Sequence, residues 1–282
     1  IETFANVVQS LERMKLLLIL TTADIMAVGP GVWNGWKSQL LRTLYYETEP
    51  VVTGGFSEVN RSRRVEIAQD EFRRAAPDKL PSLAGDALEA YVGRHYAAYW
   101  LKVDLATKIE HARFLQSAAA EGLSLATRVD LIAGQGVTHL TVLAPDHPRL
   151  LSIIAGACAA TGANIVGAQI YTTTDGLALD TISISRAFER DEDEERRARR
   201  IAEAIEKALR GEMKVGEAVA AVARKSPARH RSRTFRIAPD VAINNTWSSR
   251  YTVIEVSGLD RPGLLHDLTA ALSRHSLNIA SA

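Results

Sequence analysis

The 282 residues contain a single cysteine, Cys158. A disulfide framework within the chain is therefore excluded, and the composition suits a reducing cytoplasm. Net charge is nearly absent. The 34 Lys and Arg against 33 Asp and Glu leave +1, so no global field draws the chain to nucleic acid or to a membrane. Long apolar runs are missing too. The longest near the N-terminus is Leu16 to Leu20, with Asp24 close behind, and a spanning helix needs about 20 apolar residues. No basic segment followed by an apolar core and a cleavage site is visible, so no signal peptide is expected. An initiating Met is lacking. With the stop at Ala282, the start at Ile1 points to a piece of a longer protein. What is present is ordinary for a globular chain, 46% hydrophobic and 24% charged, with room for two or three small domains.

Residues 1–126 carry helical spacing. Leu11, Met14, Leu17, Leu18 and Ile25 recur on one helix, and Gly29-Pro30-Gly31 breaks it. Val32 to Tyr46, Arg61 to Ala75 and Leu88 to Trp100 continue the pattern, with a turn at Asp78 to Pro81. The texture changes near Gly134. Thr138 to Ala144 has strand character, Pro148 to Thr161 helical, and Asn164 to Thr173 strand again. Asp175-Gly176 is a hairpin signal, followed by a partner strand over Leu177 to Ser185. Asp191 to Leu209 is a charged amphipathic helix with Ile201, Ile205 and Leu209 on its apolar face. A basic linker with Arg229, Arg231 and Arg233 leads to a further alternating stretch, Phe235 to Ile243, which could supply the last strand of the unit. The order from Thr138 is β-α-β-β-α-β, a split βαβ sandwich.

Shifted by 114 residues, the chain matches itself. Asp146-His147-Pro148-Arg149-Leu150-Leu151 falls on Asp260-Arg261-Pro262-Gly263-Leu264-Leu265. Thr138 falls on Thr252, Val142 on Val256, Ile154 on Leu268, Ala157 on Ala271, and Asn164-Ile165 on Asn278-Ile279. A tandem duplication is the simplest account. In each copy Asp stands at the strand-to-helix turn, where a carboxylate can accept free backbone N–H groups. Pro suits the first helical turn. Gly263 removes a side chain where the second helix begins and leaves N–H groups open to an anion such as an amino-acid carboxylate; Arg149 lacks that advantage. The motif is consistent with a helix start alone or with a small-molecule site, and its duplication favours the second.

Tyr251-Thr-Val-Ile-Glu-Val-Ser-Gly-Leu-Asp-Arg-Pro-Gly-Leu-Leu265 resembles the start of an ACT domain. Three features extend the resemblance to the C-terminal part of the bifunctional uridylyltransferase/uridylyl-removing family. They are Leu20-Thr-Thr-Ala-Asp-Ile25 followed by Gly29-Pro-Gly-Val-Trp-Asn-Gly-Trp-Lys37, the Pro145-Asp-His-Pro-Arg-Leu-Leu151 copy, and Ile243-Asn-Asn245 before the second copy. The resemblance implies an α+β chain. Residues 1–126 would be the helical tail of an HD-type domain and linker helices, 134–245 a ferredoxin-like ACT domain, and 250–282 a truncated second ACT domain. It implies a parent enzyme that adds uridylyl groups to a PII signal protein with UTP and magnesium, hydrolyses them at the HD domain, and senses glutamine at its ACT pair. The nucleotidyltransferase signature is absent here, so no catalytic residue is expected in this chain. Asp24 corresponds to the last metal-ligand Asp of the HD domain; one carboxylate does not hold a catalytic metal, and a helix-end Asp bonded to nearby backbone is its other reading.

The resemblance places the effector at Asp260, Arg261, Pro262, Gly263, Leu264 and Asn278. Asp260 and Asn278 would take the ammonium or amide, and N–H groups around Arg261 to Leu264 the carboxylate. Asp146, His147 and Asn164 are their counterparts in the first copy, with Arg149 crowding that site. The His266-Asp267 dipeptide lies in the second ACT helix and is taken as coincidence. The seven His residues show no metal-ligand spacing, and Cys158 sits on an apolar helical stripe, as core. The charge runs at Arg196 to Arg200 and Lys225 to Arg233 are read as a solvated helix face and a linker, not a nucleic-acid surface. Two other readings stay open: a non-catalytic module whose paired units only dimerise, and the ACT tail of another metabolic enzyme or stringent-response protein.

Overall fold

A computed structural model of the chain describes residues 1–29, 33, 35–52, 57–131, 136–225, 238–245, 252–277 and 279. The break after Gly29, most of the 225–233 basic run, the start of the 235–243 stretch, Gly134 and Asn278 lie outside the described residues.

The N-terminal half is helical, as its spacing requires. Its elements are α1 (Glu2–Val8), α2 (Leu11–Ala27), α3 (Gly35–Val52), α4 (Ser57–Lys79), α5 (Asp86–Arg94), α6 (Ala97–Lys102) and α7 (Leu105–Ala120). Ser10 caps α2 by accepting from the Arg13 amide, and Asp104 caps α7 through the Thr107 amide at 3.0 Å, each satisfying an N–H that the helix itself leaves open. The expected helix over Leu88 to Trp100 is divided at His95, whose backbone is extended and forms a bridge to Thr173.

The second half holds β1 (Ala126–Leu131), β2 (Val137–Pro145), α8 (Leu150–Ala160), β3 (Ile165–Gln169), β4 (Leu177–Ser185), α9 (Asp191–Leu209), α10 (Val215–Lys225), β5 (Asp240–Asn244), β6 (Val253–Ser257) and α11 (Leu264–Arg274). One antiparallel sheet has the order β1-β2-β4-β3, and a second pairs β5 with β6. The α+β class is therefore as expected, but the origin of one strand is not. The stretch ending at Ile243 does not complete the first sheet; β5 pairs with β6 of the second copy. The place beside β2 is filled from upstream, by β1. Alternation marks a stretch as strand without naming its partner, and β1 lies one short connection before β2, where neighbours in sequence readily become neighbours in the sheet.

This exchange makes the repeat larger than the motif showed. Ala126 stands opposite Leu143, and Asp240 opposite Ser257. Each pair is the other shifted by 114, so both copies share one hairpin register and one helix start. The first sheet is buried on both faces. Leu140, Val142, Ile182 and Ile184 pack against Leu150, Ile154 and Cys158 of α8 and Ile201 and Ile205 of α9. Leu143 and Leu179 point the other way, into a core with Phe72, Tyr91, Trp100 and Leu115 of the helical half. Burial of that apolar area is the main stabilising term. The β4 hydroxyls that meet the helical half find partners: Thr181 Oγ1 lies 3.3 Å from His111 Nε2.

Candidate functional site between the two copies

The second turn motif lies against the first unit. α11 packs on α8, and α10 packs on α8 beside it. Close approach depends on small residues. A Cβ on Gly156 of α8 would come within 2.1 Å of Val215 and 2.7 Å of His266 Nδ1. His266 Nδ1 lies 2.7 Å from the Ser152 carbonyl oxygen. Ser152 and His266 are counterparts under the repeat, and contact between equivalent positions is what a local two-fold relation between units produces.

A cavity of about 340 Å³ opens at this junction. Asn164, from the first copy, lines it together with Asp260, Arg261, Pro262, Gly263 and Leu264 from the second. Its floor is made of small side chains of α8, Ala155 and Ala159, and Val222 of α10 closes one side. Six of the nine expected effector residues thus share one space. Asp146 and His147 do not join them. Both are exposed, and they hold their own turn: Thr172 donates to the Asp146 carboxylate at 2.9 Å, and the Arg149 amide donates to His147 Nδ1 at 3.2 Å.

The role expected of the Asp residues needs correction. Neither Asp146 nor Asp260 caps its helix, and no side chain does. The cap positions are Arg149 and Gly263, three residues later. A turn closed by the Leu150 amide on His147 O, and by the Leu264 amide on Arg261 O, separates each Asp from its helix. The expected set of free amides shifts with it. Pro262 has no N–H and Leu264 is already bonded, so the open donors at the start of α11 are those of Gly263, Leu265 and His266, with no helical carbonyl to take them. The Arg261 guanidinium is engaged by Asp267 at 2.7 Å, and Asp260 is exposed beside it.

Gly263 has a second reason to be glycine. Its φ of 83° is left-handed, and an added Cβ would lie 2.4 Å from Val219 Cγ1 of α10. Arg149, at φ −97°, begins α8 in ordinary right-handed geometry and is exposed. His266 lines the cavity as well, and its signal in the sequence is its place as the counterpart of Ser152 under the repeat.

The remaining candidates lie elsewhere. Asp24 is exposed near the end of α2. Among the described residues no three His, Cys, Asp or Glu side chains converge to hold a metal. Cys158 is buried, and burial pushes its thiol up to about 12, which removes the reactive thiolate. The Arg196 and Arg199 side chains pair with Asp193 and Glu195 along α9, as expected of a solvated face. No helix among the described residues is long and apolar enough to cross a membrane.

A family model described as "ACT domain" matches residues 138–209. Proteins of Bradyrhizobium sp. strain ORS 278, Rhodopseudomonas palustris strain ATCC BAA-98 / CGA009 and Nitrobacter winogradskyi strain ATCC 25391, each named bifunctional uridylyltransferase/uridylyl-removing enzyme, are 64% identical over all 282 residues. The chain spans about 30% of the length of these curated relatives. No solved structure matches it significantly. Over its whole length the chain is thus homologous to one segment of the bifunctional uridylyltransferase/uridylyl-removing enzymes, and its residues 138–209 are an ACT domain.

Proposed function

We propose that this chain is the effector-sensing part of an enzyme that adds uridylyl groups to a PII signal protein and removes them, and that glutamine binds between its two repeat units. The supporting observation is the cavity that unites Asn164 of one copy with Asp260 to Leu264 of the other. Its volume lies at the small end of ligand pockets, a size that suits one amino acid. The Asp260 carboxylate would hold the ammonium group. The Leu265 and His266 amides, at the positive end of α11, would hold the α-carboxylate. A ligand held this way touches both units at once, so it favours whichever arrangement keeps them together. UTP, magnesium and PII belong to the catalytic parts of the parent enzyme, of which residues 1–126 are the HD-type tail. The setting is cytoplasmic.

Calorimetric titration of glutamine into the full-length protein tests this. Saturable heat that Asp260→Asn weakens supports it; no heat from a folded protein sinks it. The alternative, units that only pair, draws on the α8–α11 packing, and an unfolding midpoint indifferent to every amino acid would favour it.

A further inference from the structure

Resting on that reading, we infer that His266 selects a carboxamide side chain over a carboxylate, through an acceptor nitrogen that the fold sets in place. A backbone carbonyl oxygen can only accept. The 2.7 Å contact from Ser152 O to His266 Nδ1 therefore puts the hydrogen on Nδ1. A neutral imidazole with Nδ1–H carries a lone pair on Nε2, and Nε2 has no hydrogen-bond partner among the described residues. His266 lines the cavity together with Asp260 and Asn164. The ring is held by its Nδ1 and Cε1 atoms lying over Gly156, where an added Cβ would stand 2.7 and 3.2 Å away. Any larger residue at 156 would push the imidazole out of this position.

The acceptor comes from one copy only. The counterpart of His266 is Ser152, which spends its hydroxyl on Arg149 O at 2.8 Å. The duplication therefore supplies a matched pair of helices, and a single substitution within it creates one directional reader. An acceptor at this point takes an N–H from a primary amide. It meets only lone pairs on a carboxylate or an ester, and an unmatched acceptor in a confined site weakens binding.

The test uses the full-length protein and three probes: L-glutamine, L-glutamate and L-glutamic acid γ-methyl ester. The ester is neutral and nearly the shape of glutamine but has no side-chain N–H. In the wild type, glutamine is expected to bind about tenfold or more tighter than the ester. His266→Leu should reduce that ratio to near one, and His266→Gln, which offers both a donor for Ser152 and an acceptor, should restore part of it. A wild type that binds ester and glutamine alike overturns the inference. So does a His266→Leu protein that keeps the full ratio. Both results leave glutamine sensing intact, whereas absence of any glutamine binding removes the site itself. Should His266→Leu not fold, the wild-type ratio and the His266→Gln protein decide between the outcomes.

Discussion

The two copies of the repeat begin alike and end in different environments. Each has a strand pair in the same register and a helix at the matching residues. Yet Val142 is 0% exposed and its counterpart Val256 40%, while Leu140 is 0% exposed and Ile254 36%. The first hairpin is covered by α8 and α9 on one face and by the helical half on the other. The second, of which the described residues hold only the hairpin and α11, leaves Val241, Ile243, Ile254 and Val256 open within this stretch of sequence. Local pattern therefore suffices to specify a strand pair and its register, and burial depends on what the rest of the chain brings to it.

The largest expected difference is in the helix cores. Ile154→Ala should cost about 2–5 kcal/mol by creating a cavity in a fully packed site. Its counterpart Leu268→Ala, on the half-buried α11, should cost about 1 kcal/mol. Urea unfolding of both variants checks the ratio, and equal costs would break the comparison. Next come the helix starts. Gly263→Ala should destabilise by about 1–3 kcal/mol, since it meets both left-handed backbone and Val219. Arg149→Gly should stay within about 0.5 kcal/mol, because glycine is tolerated at a cap. Thermal melts would show the contrast.

A third contrast is in binding. Asp260→Asn should weaken glutamine by about 1.5 kcal/mol, the worth of a charge-assisted contact, and Asp146→Asn should leave it unchanged; calorimetry on the two variants separates the copies. The smallest effect is on pH dependence. Burial holds His95 down to about 3 and His111 down to about 4. Below the ordinary His pKa of about 6.5 the unfolded chain takes up protons that the folded chain refuses. Stability at the junction of the helical half and the first sheet is thus complete above about pH 6.5 and falls toward pH 4. Both ring nitrogens of His95 are buried without partners, and the ring stacks on Tyr99 at 3.9 Å. His95→Phe should therefore keep the packing and gain about 1 kcal/mol at pH 5.5. Hydrogen exchange across pH 5.5 to 7.5 reads the effect, and the open second hairpin should show no matching trend.

Much of the fold was legible in the residues. The strands and helices from Thr138 to Leu209 follow period and turn chemistry, and the repeat announced the second copy. β1 was not legible. Ala126–Leu131 carries Arg128 and Asp130, which pair with each other at 2.6 Å while Arg128 also reaches Glu110 at 2.7 Å. One of the two partners of Arg128 comes from a distant helix, and that pairing is not visible in the local sequence. α10 is a short helix between a charged helix and a basic linker, and its place on α8 is set by tertiary packing. The six motif residues that line the cavity stand out in the sequence because they belong to the duplicated motif. Which of them meet is not legible there, since Asn164 and Asp260 come together only through the packing of α8 on α11.

The sequence by itself determined the duplication, the strand-to-helix turn, the glycine at position 263 and the absence of a disulfide framework, because each is a matter of local spacing or composition. Tertiary structure alone decided which strand completes the first sheet, which copy's turn faces a cavity, and which ring nitrogen of His266 meets the Ser152 carbonyl. These are properties of partners far apart in the chain. Ser152 and His266 lie 114 residues apart, and no local pattern carries information about a contact formed across a pseudo-symmetric interface.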